Sequence, residues 1–206
     1  MKMKKAALIA GILGAVIIGS SITITQQNEY KLIRQFGKVD RVICEPGISF
    51  KIPLIERTQS LPKETLLYDL EASDVITKDK KTMISDSYVL WRITDPLKFA
   101  QTLNSSLENS ESRINTAVYN ATKNVISSLS QDRVITSRDG ELSDMVMEAI
   151  GDNMEQYGIE LIKFETKQLD LPDDNKAAVY ERMISERDNI AATYKAEGDS
   201  EAKVIQ

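Results

Sequence analysis

The hydrophobic positions along this chain change period four times, and each change marks a boundary. After Met1-Lys2-Met3-Lys4-Lys5 no charged residue occurs until Glu29, and Ala6 to Ile24 is apolar except for Ser20, Ser21 and Thr23. At about 1.5 Å of rise per residue, that run extends roughly 28 Å as a helix, one hydrocarbon thickness. Lipid offers backbone amides no partner, so the run is expected to be helical, and Gly11, Gly14 and Gly19 are tolerated there. A cleaved signal peptide shares the basic start and the apolar stretch. The length of the run and the poor cleavage match at Gly19-Ser20-Ser21 favour a retained anchor over residues 6–25. Lys2, Lys4 and Lys5 mark the cytoplasmic side by the positive-inside rule. A single-pass protein of the cytoplasmic membrane is expected, with everything after Gln26 outside the cytoplasm.

From Tyr30 the chain reads as strands and turns. Lys31 to Phe36 ends at Gly37-Lys38, and Val39 to Cys44 stops at Glu45-Pro46-Gly47. Ile48, Phe50, Ile52 and Leu54 then alternate with Ser49, Lys51 and Pro53, a strand with one apolar face and an edge position at Pro53. Thr65 to Asp69 and Ala72 to Thr77 are expected short strands before the turn Lys78-Asp79-Lys80-Lys81. Met83 to Ile93 is a long strand with Ser85, Ser87, Val89, Trp91 and Ile93 on one face. It stops at Thr94-Asp95-Pro96, where Pro96 can open a short helix.

The period then becomes helical. Ile114, Val118, Ala121, Val125 and Leu129 fall on one face of a helix from about Glu111 to Ser130. A second helix fits Glu141 to Tyr157, with Gly158 placed to end it in a left-handed conformation. Ile159 to Leu169 returns to strand composition. This is an α+β order, strands first and helices packed on one side. Leu171-Pro172-Asp173 opens a last segment, 171–206, where Asp173 can cap a helix and Asp174 suits its positive end. Its apolar residues are sparse (Val179, Met183, Ile190 and Tyr194 among them), so a neighbouring chain is needed to stabilise it. The pattern stops without a C-cap, and the helix is expected to continue beyond Gln206.

Composition narrows the function classes. Removing the three anchor lysines from 26 basic residues leaves 23 against 31 acidic ones, a body charge of −8. That argues against nucleic acid as a partner and against broad electrostatic attachment to anionic lipid. There is no histidine and one cysteine, Cys44, so no intramolecular disulfide and no histidine-ligated metal can form. Cys44, beside Val42 and Ile43, is expected to be a small buried side chain. No phosphate loop, zinc spacing or Ser-His-Asp set occurs, and no Ser-Lys pair stands out by context. No catalytic, cofactor-binding or metal site is assigned. Asp69, Glu71 and Asp74 read as a solvated strand edge, and Tyr88 and Trp91 as packing residues.

Three ordered stretches resemble the band-7 family, which comprises the stomatin, prohibitin, flotillin and HflK/HflC proteins (SPFH). They are Gln35-Phe36-Gly37-Lys38 with Glu45 to Ile55, then Val75 to Lys81 running on to Asp86 to Pro96, and finally Leu171-Pro172-Asp173 with Tyr180 to Arg187 and Ala196 to Ala202. The short basic start, Trp91-Arg92-Ile93 and Arg182-Met183 before Glu186-Arg187 fit the HflC subgroup.

The resemblance implies a domain of two small α+β subdomains over 26–170 and a long helix that packs beside those of neighbouring subunits. It implies assembly with itself and an HflK-like subunit into a ring or cage that modulates the membrane AAA protease FtsH, a scaffold rather than an enzyme. A stomatin- or flotillin-like organiser of membrane microdomains without a protease partner is the alternative. Ile48, Phe50, Ile52, Leu54 and Ile55 follow soon after the anchor. They are read either as a hairpin resting on the outer leaflet of the bilayer or as the inward face of a strand.

Overall fold

The computed structural model describes residues 19–137 and 140–205, and within the last helix the side chains of 180–181 and 184–198. Eight strands and five α-helices follow one another: β1 (Ile22–Thr25), β2 (Glu29–Gln35), β3 (Lys38–Ile43), β4 (Gly47–Phe50), β5 (Glu56–Pro62), β6 (Leu66–Ile76), β7 (Thr82–Ile93), α1 (Pro96–Leu103), α2 (Leu107–Ser128), α3 (Gln131–Thr136), α4 (Glu141–Ile150), β8 (Ile159–Asp170) and α5 (Asp173–Ile205). A 3-10 turn, Gly151–Tyr157, joins α4 to β8. The strands form a ribbon β1-β4, a sheet β3-β2-β5 and a sheet β6-β7-β8, all antiparallel.

The β6-β7-β8 sheet carries the helices on one face. Strict alternation along β7 buries Met83, Ser85, Ser87, Val89, Trp91 and Ile93, as the period-two pattern predicts. Against them pack Ile114, Val118 and Ala121 of α2 and Val146 and Ile150 of α4, joined by Phe164 and Ile159 from β8. The expected strands on either side of residue 70 are one strand, β6, with a register shift between Leu70 and Ser73. Asp69, Glu71 and Asp74 on it are exposed, and Asp69 pairs with Lys167.

The smaller β3-β2-β5 sheet lies between two partners. One face of β2 presents Leu32 and Arg34. Leu32 joins the main core with Leu61, the Arg34 guanidinium donates to Ser105 Oγ at 2.7 Å, and Tyr30 Oη donates to the Ile93 carbonyl at 3.4 Å. On the opposite face Ile33 is fully buried, and Lys31 Nζ donates to the Ile24 carbonyl at 2.6 Å. That second face is covered by the β1-β4 ribbon. Apart from the helical residues 19–21 that lead into β1, the described residues of this part are strands and turns, and it joins the helical part through one core.

Several sequence expectations change. Ile22–Thr25, the end of the expected anchor, is a strand and not helix, because Ile22, Thr23, Ile24 and Thr25 are all β-branched and a ladder is available at Gly47–Phe50. Residues 6–18 lie outside the described residues, and no described helix is long and apolar enough to cross a membrane. The strand expected to run to Leu54 stops at Phe50, and β5 and the six-residue α3 are additions. The helix expected to run to Tyr157 breaks at Gly151 into the 3-10 turn. Cys44 is exposed, since it follows the last residue of β3 at the Glu45-Pro46 turn.

Two junctions fix the architecture. Gly158 ends the 3-10 turn with φ 71°, and its carbonyl accepts from the amides of Thr94 at 3.0 Å and Asp95 at 3.2 Å. Asp95 in turn caps α1, accepting from the amides of Leu97 and Lys98 at 3.0 Å each, with Pro96 in the first helical turn. At the far end of β7, Lys78 N–H donates to the Leu129 carbonyl at 2.8 Å, and Asp79 accepts from Thr77 Oγ1 at 2.6 Å and Gln131 N–H at 3.1 Å. The Thr77 hydroxyl foremost, helped by Lys81 and the Gln131 amide, holds the Asp79 carboxyl down to about 2.

Gly158→Ala is expected to destabilise the domain. A Cβ there would stand 2.2 Å from the Asp95 carbonyl oxygen, added to a left-handed penalty of about 1–2 kcal/mol. A thermal melt unchanged from wild type would contradict this. For Asp79 the folded value lies below the ordinary 3.8, so its contribution is complete above pH 3.8 and is lost as pH falls towards 2. The melting-temperature gap between wild type and Asp79→Asn should therefore be full at pH 6 and narrow across that acid window; a gap independent of pH would refute the latch.

Candidate functional site

The alternation in β1 is inverted for a water-soluble sheet. Thr23 and Thr25 point inward and are buried, whereas Ile22 and Ile24 point outward. Their ladder partners do the same: Ile22 faces Phe50 and Ile24 faces Ile48, and both partners are 69% exposed. Among the described residues these four large apolar side chains form one exposed face of the ribbon. Contiguous apolar surface of this kind marks a protein or membrane contact.

The strand register adds a second group at one end of that ribbon. Gln35 pairs with both Lys38 and Glu56, so the β2-β3 turn and the loop before β5 sit side by side. Phe36 occupies the turn with φ 50° and is 88% exposed, while Leu54 in the loop has φ 74° and is 99% exposed. A left-handed leucine costs about 1–2 kcal/mol and gains no burial in the isolated chain. Ile52 and Ile55 are also exposed. The same end is where the N-terminal segment enters: Lys51 N–H donates to the Ser21 carbonyl at 2.8 Å.

Glu56 holds this loop in shape. It is buried, and its Oε2 accepts from Ile52 N–H at 2.8 Å and from the Arg41 guanidinium at 3.3 Å. Arg41 Nη2 also donates to the Phe50 carbonyl at 2.5 Å, and Glu56 N–H closes the loop onto the Ile52 carbonyl at 2.9 Å. A carboxylate shared by a backbone amide and a guanidinium is a charge-assisted arrangement, stronger than neutral bonds of the same length. The loop presents its apolar side chains outward on a hydrogen-bonded frame.

Of the residues singled out in the sequence, Ile48, Phe50, Ile52, Leu54 and Ile55 come together in this region. Lys2, Lys4 and Lys5 lie outside the described residues, as do the side chains of Val179 and Met183. Ile190 and Tyr194 are exposed on α5, as are Tyr180 and Ile184. Sequence reasoning missed Ile22, Ile24, Phe36 and Glu56. The alternation Ile-Thr-Ile-Thr was a usable signal for the first two, and Phe36 beside Gly37 at a turn was one for the third.

No arrangement for catalysis emerges around these features. A groove of about 370 Å³ between α2 and the 3-10 turn is lined by Arg113, Asn120, Asn124, Asn153 and Tyr157 among others, amides rather than paired carboxylates. Among the described residues no cluster of acidic or cysteine side chains could hold a metal ion.

Comparison with known proteins agrees with the geometry. The SPFH domain / Band 7 family matches residues 23–200. Protein HflC of Haemophilus influenzae is 30% identical over 202 residues, covering 93% of this chain and 68% of that protein. The protein named modulator of FtsH protease HflC in Escherichia coli K12 is 25% identical over 250 residues, covering 99% of this chain and 75% of that protein. Protein HflC of Buchnera aphidicola from Schizaphis graminum is 28% identical over 212 residues, covering 93% of this chain and 69% of that protein. SPFH proteins are regulatory scaffolds, not enzymes. With nearly its whole length matched, this chain belongs to the SPFH domain / Band 7 family.

Proposed function

We propose that this chain is an HflC-like membrane scaffold that associates with an FtsH-type protease and modulates it by enclosing it, together with an HflK-like subunit and further copies of itself. The observation that carries the reading is the opposed placement of two exposed features. The apolar end, where the N-terminal segment enters, is the Gln35-Phe36 end of the small sheet, and the other end of β2 meets β7 at Ile93 through Tyr30. The helix α5 leaves from the other end of β7, where Asp170 pairs with Ile84. Nine residues of strand separate Ile84 from Ile93, roughly 30 Å at about 3.3 Å each.

The apolar run that precedes β1 supplies the anchor in this reading, with Lys2, Lys4 and Lys5 in the cytoplasm and the body outside it. Ile48, Phe50, Ile52, Leu54 and Ile55 rest on the outer leaflet. The 33 residues of α5, about 50 Å at 1.5 Å each, then stand away from the bilayer. Every described side chain from 184 to 198 is exposed, so that stretch of the helix gains no burial from its own domain. Helices presented at a common height by identical bodies can bury Ile190 and Tyr194 against one another, with Val179 and Met183 extending the same seam.

Purification of the tagged chain in mild detergent should recover an FtsH-type protease and an HflK-like subunit in one large particle. Recovery of self-oligomers and lipid alone would contradict this and favour the microdomain organiser. For the leaflet contact, Phe50→Ser with Leu54→Ser should leave the melting temperature nearly unchanged, since both side chains are exposed, while lowering lipid-dependent protection of residues 50–56. Global unfolding of that variant would show that the residues serve the fold instead.

A further inference from the structure

The free positive charges of the small sheet gather at its apolar end. Lys38 follows the Phe36-Gly37 turn, Lys51 opens the loop that carries Leu54, and Arg57 follows Glu56 out of it. In the ladder, Lys38 lies in the last row with Gln35 and Glu56, and Arg57 lies in the next with Arg34 and Val39. Glu56, the acid of that last row, is buried and already engaged by Arg41. Lys38, Lys51 and Arg57 form no ion pair among the described residues. The exposed acids nearby are Asp40, at the β3 irregularity two residues behind Lys38, and Glu45, at the opposite end of the ribbon.

This local balance departs from that of the body, in which acids outnumber bases. A chain of negative charge is repelled as a whole by an anionic surface, yet a short basic collar acts within a Debye length of that surface, about 8–10 Å. Apolar tips set beyond a ring of lysine and arginine match the layering of a leaflet, with hydrocarbon first and phosphate next. Long cationic side chains can keep their stems against apolar groups while their heads reach phosphate.

We infer that Lys38, Lys51 and Arg57 form a headgroup-binding collar around Phe36 and Leu54, selective for anionic phospholipid over zwitterionic phospholipid. The inference rests on the leaflet-docking reading given above. Each basic residue near such a surface contributes about fivefold in partition, so three give a selectivity on the order of a hundredfold before desolvation and Asp40 reduce it.

The test uses the full chain in nanodiscs of phosphatidylcholine alone and of phosphatidylcholine with phosphatidylglycerol, read by amide exchange of residues 50–57. Wild type should exchange at least roughly fivefold more slowly with the anionic lipid. High salt should erase that difference. Replacing all three, Lys38→Gln with Lys51→Gln and Arg57→Gln, should also erase it, while keeping the slower baseline seen in phosphatidylcholine relative to detergent. Exchange along β7 reports folding, and it should not change. Equal exchange of wild type in the two nanodiscs would overturn the collar but leave docking standing. Exchange as fast as in detergent in both nanodiscs would overturn docking and the collar together.

Discussion

Pairing of β1 with β4 is the constraint on which the rest of the structure depends. Four residue pairs, Ile22 with Phe50 through Thr25 with Gly47, tie the point where the N-terminal segment enters to the strand that leads into the Leu54 loop. The pairing turns Thr23 and Thr25 onto the β3-β2-β5 sheet and leaves the isoleucines outside. Register admits no intermediate solution, because a slip of one residue would exchange the two faces. Once that register is set, Lys31 and Arg41 reach carbonyls of the ribbon, and Glu56 can frame the loop that displays Leu54.

The helical part is organised around burial of the ordinary sense. Trp91, Phe99 and Phe164 are fully buried, and the core continues without interruption to Leu32 and Leu61 of the small sheet. Such close packing transmits position, so the end of β8 and the start of α5 are held in a fixed relation to the apolar end. Gly158 contributes by letting the Thr94-Asp95 corner approach its backbone, a distance that no side chain would permit. A scaffold that spaces many copies needs this kind of rigidity more than it needs a pocket.

The parts legible in the sequence are those in which one period governs one environment. β7 could be read because its buried face alternates over twelve residues, and α2 because Ile114, Val118 and Ala121 recur at helical spacing. The family resemblance also rested on ordered segments in those elements and in the hairpin. β1 was hidden because Ile22 and Ile24 continue the apolar run that begins at Ala6, and local β-branching was outweighed by that continuity. The reach of the strand to Leu54 was overread, since alternation persists through Lys51 and Pro53 although Glu56 folds those residues into a loop. Cys44 was expected inside by its neighbours, but a turn residue takes its exposure from the chain reversal.

In the proposed orientation the apolar end meets lipid while the opposite end of the ribbon meets water. Cys44 lies at that opposite end, five strand residues or roughly 16 Å from Lys38, and it is exposed and unique in the chain. A nitroxide on Cys44, compared with one on Leu54→Cys in a Cys44→Ser background, measures the contrast directly in bilayers. The label at 54 should be relaxed by oxygen and shielded from a nickel chelate, and the label at 44 should show the reverse. Equal access of the nickel chelate to both positions would contradict the account.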